Sequence, residues 1–274
     1  MNKDRKNIVM SVLLWLIALI HIYPLFIILI SSVKSQAEIA VNPFGLPNNI
    51  TFEYFAQAFD KMHYLQSVSN TVLIAVVSVG AVLLVSAMAA YAIARNNTRF
   101  YKSIYMLFLA GLIVPFQMIM IPLYKIMMGT KLISTYQGMI IYYIATLAPF
   151  SIFLLVGFVR TVPKELEEAA LIDGCGIYKT FFKIVFPLLT PSLTTLAVLN
   201  VFTVWNDFLA PMLYLQKSNM MTLTVQLSSF RGMYFNNWSL IFTGVCLIVA
   251  PMLVIYVFSQ KYIISGITAG AVKG

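Results

Sequence analysis

The sequence predicts an all-α integral membrane protein, on three observations. Of its 274 residues, 61% are hydrophobic and only 10% charged, whereas ordinary soluble domains are about one quarter charged. The apolar residues run in six long stretches. The basic residues collect at the ends of those stretches, unequally on the two sides. A soluble chain of this length needs a polar skin over its core, and too few charges exist here to make one.

A spanning helix needs about 20 mostly apolar residues. The stretches that meet this are roughly 8–30, 67–94, 103–125, 134–159, 191–213 and 239–260. Helices are expected because lipid offers no partner to open backbone groups. A membrane β-barrel would show short alternating segments instead. The first stretch follows Lys3, Arg5 and Lys6 and so imitates a signal peptide, but its apolar part is too long for one; it reads as an uncleaved first span. Pro115 and Pro122 mark a kink in the third.

Charge sets the orientation. If the N-terminus is cytoplasmic, the inner segments hold Lys3, Arg5, Lys6, Arg95, Arg99, Lys102, Arg160, Lys164, Lys179, Lys183, Lys261 and Lys273. The outer segments hold Lys34, Lys61, Lys125, Lys131, Lys217 and Arg231. That is twelve against six, so both termini are expected in the cytoplasm. The long outer segment contains TFEYFAQAF (51–59), which reads as a short helix at the surface.

Composition also excludes functions. The +9 formal charge is scattered over helix ends, which leaves no basic surface for nucleic acid. Cys175 and Cys246 make no disulfide framework. Two histidines, His21 and His63, have no neighbours that complete a metal site, and the chain has no phosphate-binding G-x-x-x-x-G-K-[ST] loop and no H-E-x-x-H. No catalytic role is expected.

The inner segment 160–190 carries the most information. With the two residues after it, it reads RTVPKELEEAALIDGCGIYKTFFKIVFPLLTPS. Pro163 suits the first turn of a helix, and Glu165, Glu167 and Glu168 suit its positive end. Gly174 and Gly176 can end that helix. A second short helix is expected over 177–185, with Pro187 and Pro191 redirecting the chain. The product is a helix–turn–helix elbow able to dock in the groove of a soluble partner.

That run resembles the coupling motif of binding-protein-dependent ABC transporter permeases: EAA, three residues, G, nine residues, I-x-L-P. Here it is Glu168-Ala169-Ala170, then Gly174, then Ile184-Val185-Phe186-Pro187, with Phe in place of Leu. AAYAIAR (89–95), GFVRTVPKELEEAA, WNDFLAPMLYL (205–215) and GITAGAVKG (266–274) are similar to the carbohydrate-importer branch, and to the smaller permease of the maltose-type system. The resemblance covers nearly the whole chain.

It implies a type I ABC importer permease fold, a single transmembrane domain over 1–274, in a bacterial or archaeal cell membrane. It also implies a second, homologous permease, two copies of a cytoplasmic ATPase that bind ATP and Mg, and an extracytoplasmic binding protein that delivers a sugar-like solute. Glu168, Ala169, Ala170, Asp173, Gly174 and Pro187 are then the residues expected to couple the chain to the ATPase. Asn206 and Asp207 are polar groups in a span, which are costly and face protein or water; with Trp205 they line the pathway or hold a structural network. Tyr91, Tyr142 and Tyr143 either stack on a sugar or pack helices. The competing function is an ion-coupled secondary transporter, which would favour internal repeats and more intramembrane acids.

Overall fold

The computed structural model describes residues 3–232 and 236–271. The side chains of Lys3, Arg5, Lys6 and Lys261, all of Lys273, and the last residues of the GITAGAVKG segment lie outside what it describes. Apart from an isolated bridge between Arg231 and Asn236, the regular elements among the described residues are helical. Among the described residues four helices are long and apolar enough to cross a membrane, or up to six if two sharply bent pairs each count as one span. The chain is therefore a multi-pass, all-helical membrane protein.

The chain forms two compact units, Met1–Leu65 with Val225–Leu253, and Gln66–Thr224 with Val254–Gly274. The first contains α1 (Lys3–Ser31), α2 (Gln36–Val41), α3 (Glu53–Lys61) and the start of the last helix. α3 covers most of the segment expected to be a surface helix. Residues 10–29 of α1 leave most of their apolar side chains exposed, the condition of a helix solvated by lipid. Lys34 is fully buried, and its Nζ donates to the carbonyls of Asn42, at 3.0 Å, and Gly45. Ser239 and Thr243 donate to the carbonyls of Lys34 and Ser32 at 3.0 and 2.9 Å, which ties the chain after α1 to the final helix.

The second unit is built around α4 (Tyr64–Arg95) and α7 (Tyr136–Val159). α4 buries small and hydroxylic residues such as Ala75, Ser78, Ser86, Ala87 and Ala90. Such residues let helix backbones approach closely where lipid removes the hydrophobic drive between helices. Asn200 of α11 (Thr190–Asn206) donates to Ser151 of α7 at 3.2 Å, the helix–helix hydrogen bond expected of a lone amide in an apolar helix.

The expected third span is two helices, α5 (Arg99–Ile113) and α6 (Phe116–Gly129), which meet at 106°. Proline disfavours helical backbone in the residue before it; Val114 is accordingly extended, with φ −78° and ψ 112°. The bend is far larger than the kink the sequence suggests, and neither half, at about 1.5 Å per residue, is long enough to cross alone. A cavity of about 660 Å³ lies beside it, lined by Val114, Phe116, Leu123, Tyr142 and Pro149 among others.

The expected fifth span is also interrupted. α11 ends at Asn206, Asp207 is extended, and α12 runs Leu209–Tyr214. α13 (Leu223–Leu227) and α14 (Trp238–Ala271) complete the chain.

Candidate functional site

The segment after α7 folds as an elbow. α8 (Glu165–Ile172) begins two residues past Pro163, with Glu165, Glu167 and Glu168 in its first turn. Gly174 follows with φ +77°, a left-handed conformation that only glycine adopts at no steric cost. α9 (Ile177–Thr180) then starts, continues through a wider turn over Phe181–Val185, and passes into α10 (Phe186–Leu188). The second arm is thus longer than the 177–185 expected. Pro187 does not break it: it sits in the first turn of α10, where no N–H is needed. The chain bends by 72° between this arm and α11.

One face of the elbow is locked to the membrane helices. Glu167, 8% exposed, points back at the end of α4. Arg95 Nε donates to Glu167 Oε1 at 2.7 Å, and the two side chains form an ion pair. Tyr91 Oη donates to Glu167 Oε2 at 2.8 Å, and Arg95 Nη2 donates to the Val162 carbonyl at 2.9 Å. Both carboxylate oxygens are satisfied, which burial of a charge requires. The Tyr91 ring also packs on Phe181 of the second arm, with centroids 5.2 Å apart.

The other face is uncovered and apolar at its tip. Ile172 is 87% exposed, Tyr178 73% and Ile177 61%. Glu168, Ala169, Asp173, Gly174 and Pro187 are exposed as well, while Ala170 is buried under the first arm.

Asp207 sits in the break between α11 and α12. Its Oδ1 accepts from the N–H groups of Leu209 and Ala210 at 3.1 and 3.3 Å, the first two residues of α12. Its Oδ2 accepts from Tyr143 Oη at 3.1 Å. The residue therefore caps a short helix and ties it to α7. Asn206 is exposed and donates to the Phe202 carbonyl at 2.9 Å. Trp205 is buried. Asn70 forms a comparable hub: it donates to the carbonyls of Asn219 and Met221, both at 3.0 Å, and accepts from Tyr136 at 2.8 Å.

Residues 82–268 match the family described as binding-protein-dependent transport system inner membrane component. The chain belongs to this family. It is 34% identical over 97% of its length to the melibiose, raffinose and stachyose import permease of Bacillus subtilis, covering 96% of that protein. It is 37% identical over 96% of its length to the permease of the multiple sugar-binding transport system of Streptococcus mutans, covering 95% of it. A crystal structure of a bacterial ABC transporter involved in import of the acidic polysaccharide alginate contains a chain of the same fold, with a TM-score of 0.83 at 23% identity over 96% of this chain and 98% of that one.

The permease is thus a transport component and not an enzyme. Among its described residues no group of three histidine, cysteine, aspartate or glutamate side chains could hold a metal ion. Of the residues singled out in the sequence, the elbow set falls together, and Asp207 meets Tyr143. Tyr91 and Tyr143 spend their hydroxyls on Glu167 and Asp207. What sequence reasoning missed is the lock itself. Glu167 counted only as one of three acids, and Arg95 only as a charge that orients the chain. The signal available was AAYAIAR, whose Tyr91 and Arg95 are four apart and share a helix face.

Proposed function

We propose that this permease forms half of the translocation pathway of an ATP-driven importer for a sugar or sugar-like solute. In this reading it crosses the membrane six times, α5 with α6 forming one span and α11 with α12 another, in a bacterial or archaeal cell membrane with both termini in the cytoplasm. The elbow is the coupling loop. It docks on one of two copies of an ATPase that binds ATP and Mg, while a homologous permease supplies the other half of the pathway and an extracytoplasmic binding protein delivers the solute. The role corresponds to the smaller permease of a maltose-type system.

The observation that carries the reading is the two-sidedness of the elbow. Its inner face is pinned to α4 by Glu167, Arg95 and Tyr91, and its outer face offers Ile172, Ile177 and Tyr178 uncovered. A rigid element pinned at one side and sticky at the other transmits displacement from a docked partner to a membrane helix. Glu168, Ala169, Asp173 and Gly174 form the docking contour, and Ala170 and Pro187 shape the two arms. A neutral saccharide is the favoured solute class, since the sugar-importing relatives align over nearly the whole chain. Asp207 and Trp205 act structurally, and Asn206, exposed at the break in the helix, is the member of that trio open to the pathway.

The test is isolation of the permease from native membranes in mild detergent with its co-purifying proteins identified, followed by uptake in proteoliposomes. Recovery with a second permease and an ATPase, and saccharide uptake that stops without ATP, is expected. Recovery of the chain alone, with uptake driven by an ion gradient, would sink the proposal.

A further inference from the structure

Behind the elbow lies a pocket of different character. Where α4 ends, α5 begins and α7 ends, Arg95, Lys102, Arg160 and Lys164 line a cavity of about 320 Å³ together with Asn97 and Tyr105. Arg95 ends α4, Lys102 lies in α5, Arg160 follows α7 and Lys164 precedes α8; these four cations line one space, and no carboxylate lines it. Arg95 is held in place by Glu167 and the Val162 carbonyl. The Arg160 guanidinium lies 5.9 Å over the Tyr105 ring, which orients it. No ion pair among the described residues engages Lys102, Arg160 or Lys164.

Arg95 is already paired with Glu167; the other three cations repel one another, and an anion bound among them lowers that cost. The depth of the pocket narrows the anion. Two of its walls are the ends of α4 and α7, each long and apolar enough to cross a membrane, and the ends of such helices lie among lipid headgroups. One turn along α5 from Lys102 is Met106, which is exposed, as is Leu107 beside it; residues four apart share a helix face. An exposed apolar side chain thus lies one turn from the pocket's lysine, where an acyl chain could run.

We propose that this pocket binds the phosphate of an anionic phospholipid headgroup, with Lys102, Arg160 and Lys164 as its principal contacts and Arg95 as a fixed wall. Basic pockets between spanning helices recognise such headgroups elsewhere. A bound lipid here would brace the junction from which the elbow leaves α7.

The transporter complex, purified and exchanged into equal amounts of phosphatidylglycerol and phosphatidylcholine, tests this by native mass spectrometry of the retained lipid. Wild type should retain phosphatidylglycerol preferentially, by about fivefold for each basic side chain engaged. The K102Q/R160Q/K164Q variant should lose that preference. K179Q/K183Q, which removes exposed charges outside the pocket, should keep it. Equal retention of both lipids by wild type overturns the proposal without recourse to any variant, as does a preference that survives in the triple variant. Tight binding of inorganic phosphate to the delipidated complex, with no preference for phosphatidylglycerol, would assign the pocket to a soluble anion and sink the lipid reading.

Discussion

Glu167 and Asp207 are both acids that accept a tyrosine hydroxyl, and they belong to opposite reaches of α7. Tyr143, near the start of that helix, serves Asp207; the carbonyl of Val162, just past its end, serves the cation that pairs with Glu167. The span from Tyr143 to the helix end at Val159 is about 24 Å at 1.5 Å per residue. The difference lies in what neutralises each carboxylate. Glu167 meets a full cation, Arg95. Asp207 meets only backbone N–H groups at a helix start and the tyrosine. Both reach across the sequence to a tyrosine, but the first rests on an ion pair between elements, and the second chiefly repairs a local break in the backbone. An ion pair with two hydrogen bonds suits a joint that carries load, and a cap suits a bend.

The comparison is broken most directly at Arg95. Arg95→Ala leaves the Glu167 carboxylate buried without its cation, a change that costs about 3 kcal/mol or more. The thermal midpoint of the purified complex in detergent should fall accordingly. Adding Glu167→Gln to Arg95→Ala should recover part of the loss, because the stranded charge is then gone. If the double variant is less stable than Arg95→Ala alone, charge is not what makes the lock matter.

Asp207 should respond less. Asp207→Ala removes the acceptor for Leu209 and Ala210 and strands the Tyr143 hydroxyl, at about 1–2 kcal/mol, the usual value of a helix cap. Asp207→Asn keeps an oxygen that can accept those bonds and should lose less than half as much. Equal losses for the two would show that the charge itself matters here and would erase the contrast with Glu167. Smaller again is Gly174→Ala. A Cβ there meets nothing within 4 Å, so only the left-handed backbone objects, at about 1 kcal/mol. A loss well above that would mean the turn is crowded by something other than its own backbone.

These contrasts also show why the sequence reveals some of this and hides the rest. The elbow is local: acids at a helix start and a glycine past its end are within a few residues of what they act on, although Pro163 falls just before α8 and not in its first turn. The bend at Pro115 is legible as a bend because proline constrains Val114, but its 106° depends on how α5 and α6 pack. The lock is not local. Tyr91 and Arg95 precede Glu167 by more than seventy positions, and nothing in a linear pattern says which of three glutamates turns inward. Residues 167 and 168 are adjacent in the motif, yet one helix step rotates a side chain by about 100°, enough to bury the first and expose the second. Asp207 fell between the two cases: in an apolar stretch read as one span it pointed to the pathway or to a structural network, and the break that makes it a helix cap is not visible in the sequence.

The smallest expected effect on stability is at the outer face of the elbow, and it separates holding from docking. Ile172 and Tyr178 are exposed, so Ile172→Ser with Tyr178→Ser removes little packing and should move the thermal midpoint of the isolated permease by no more than about 0.5 kcal/mol per site, as for other surface changes. If the elbow docks through this face, the same variant should lose co-purifying ATPase and ATP-driven uptake, while Arg95→Ala should lose stability first. Tip variants that keep their partner and their uptake would take the apolar tip out of docking and leave it to the contour of Glu168, Ala169, Asp173 and Gly174. Tip variants that unfold the chain would show that Ile172 and Tyr178 pack against something within it, and the elbow's two faces would no longer be distinct.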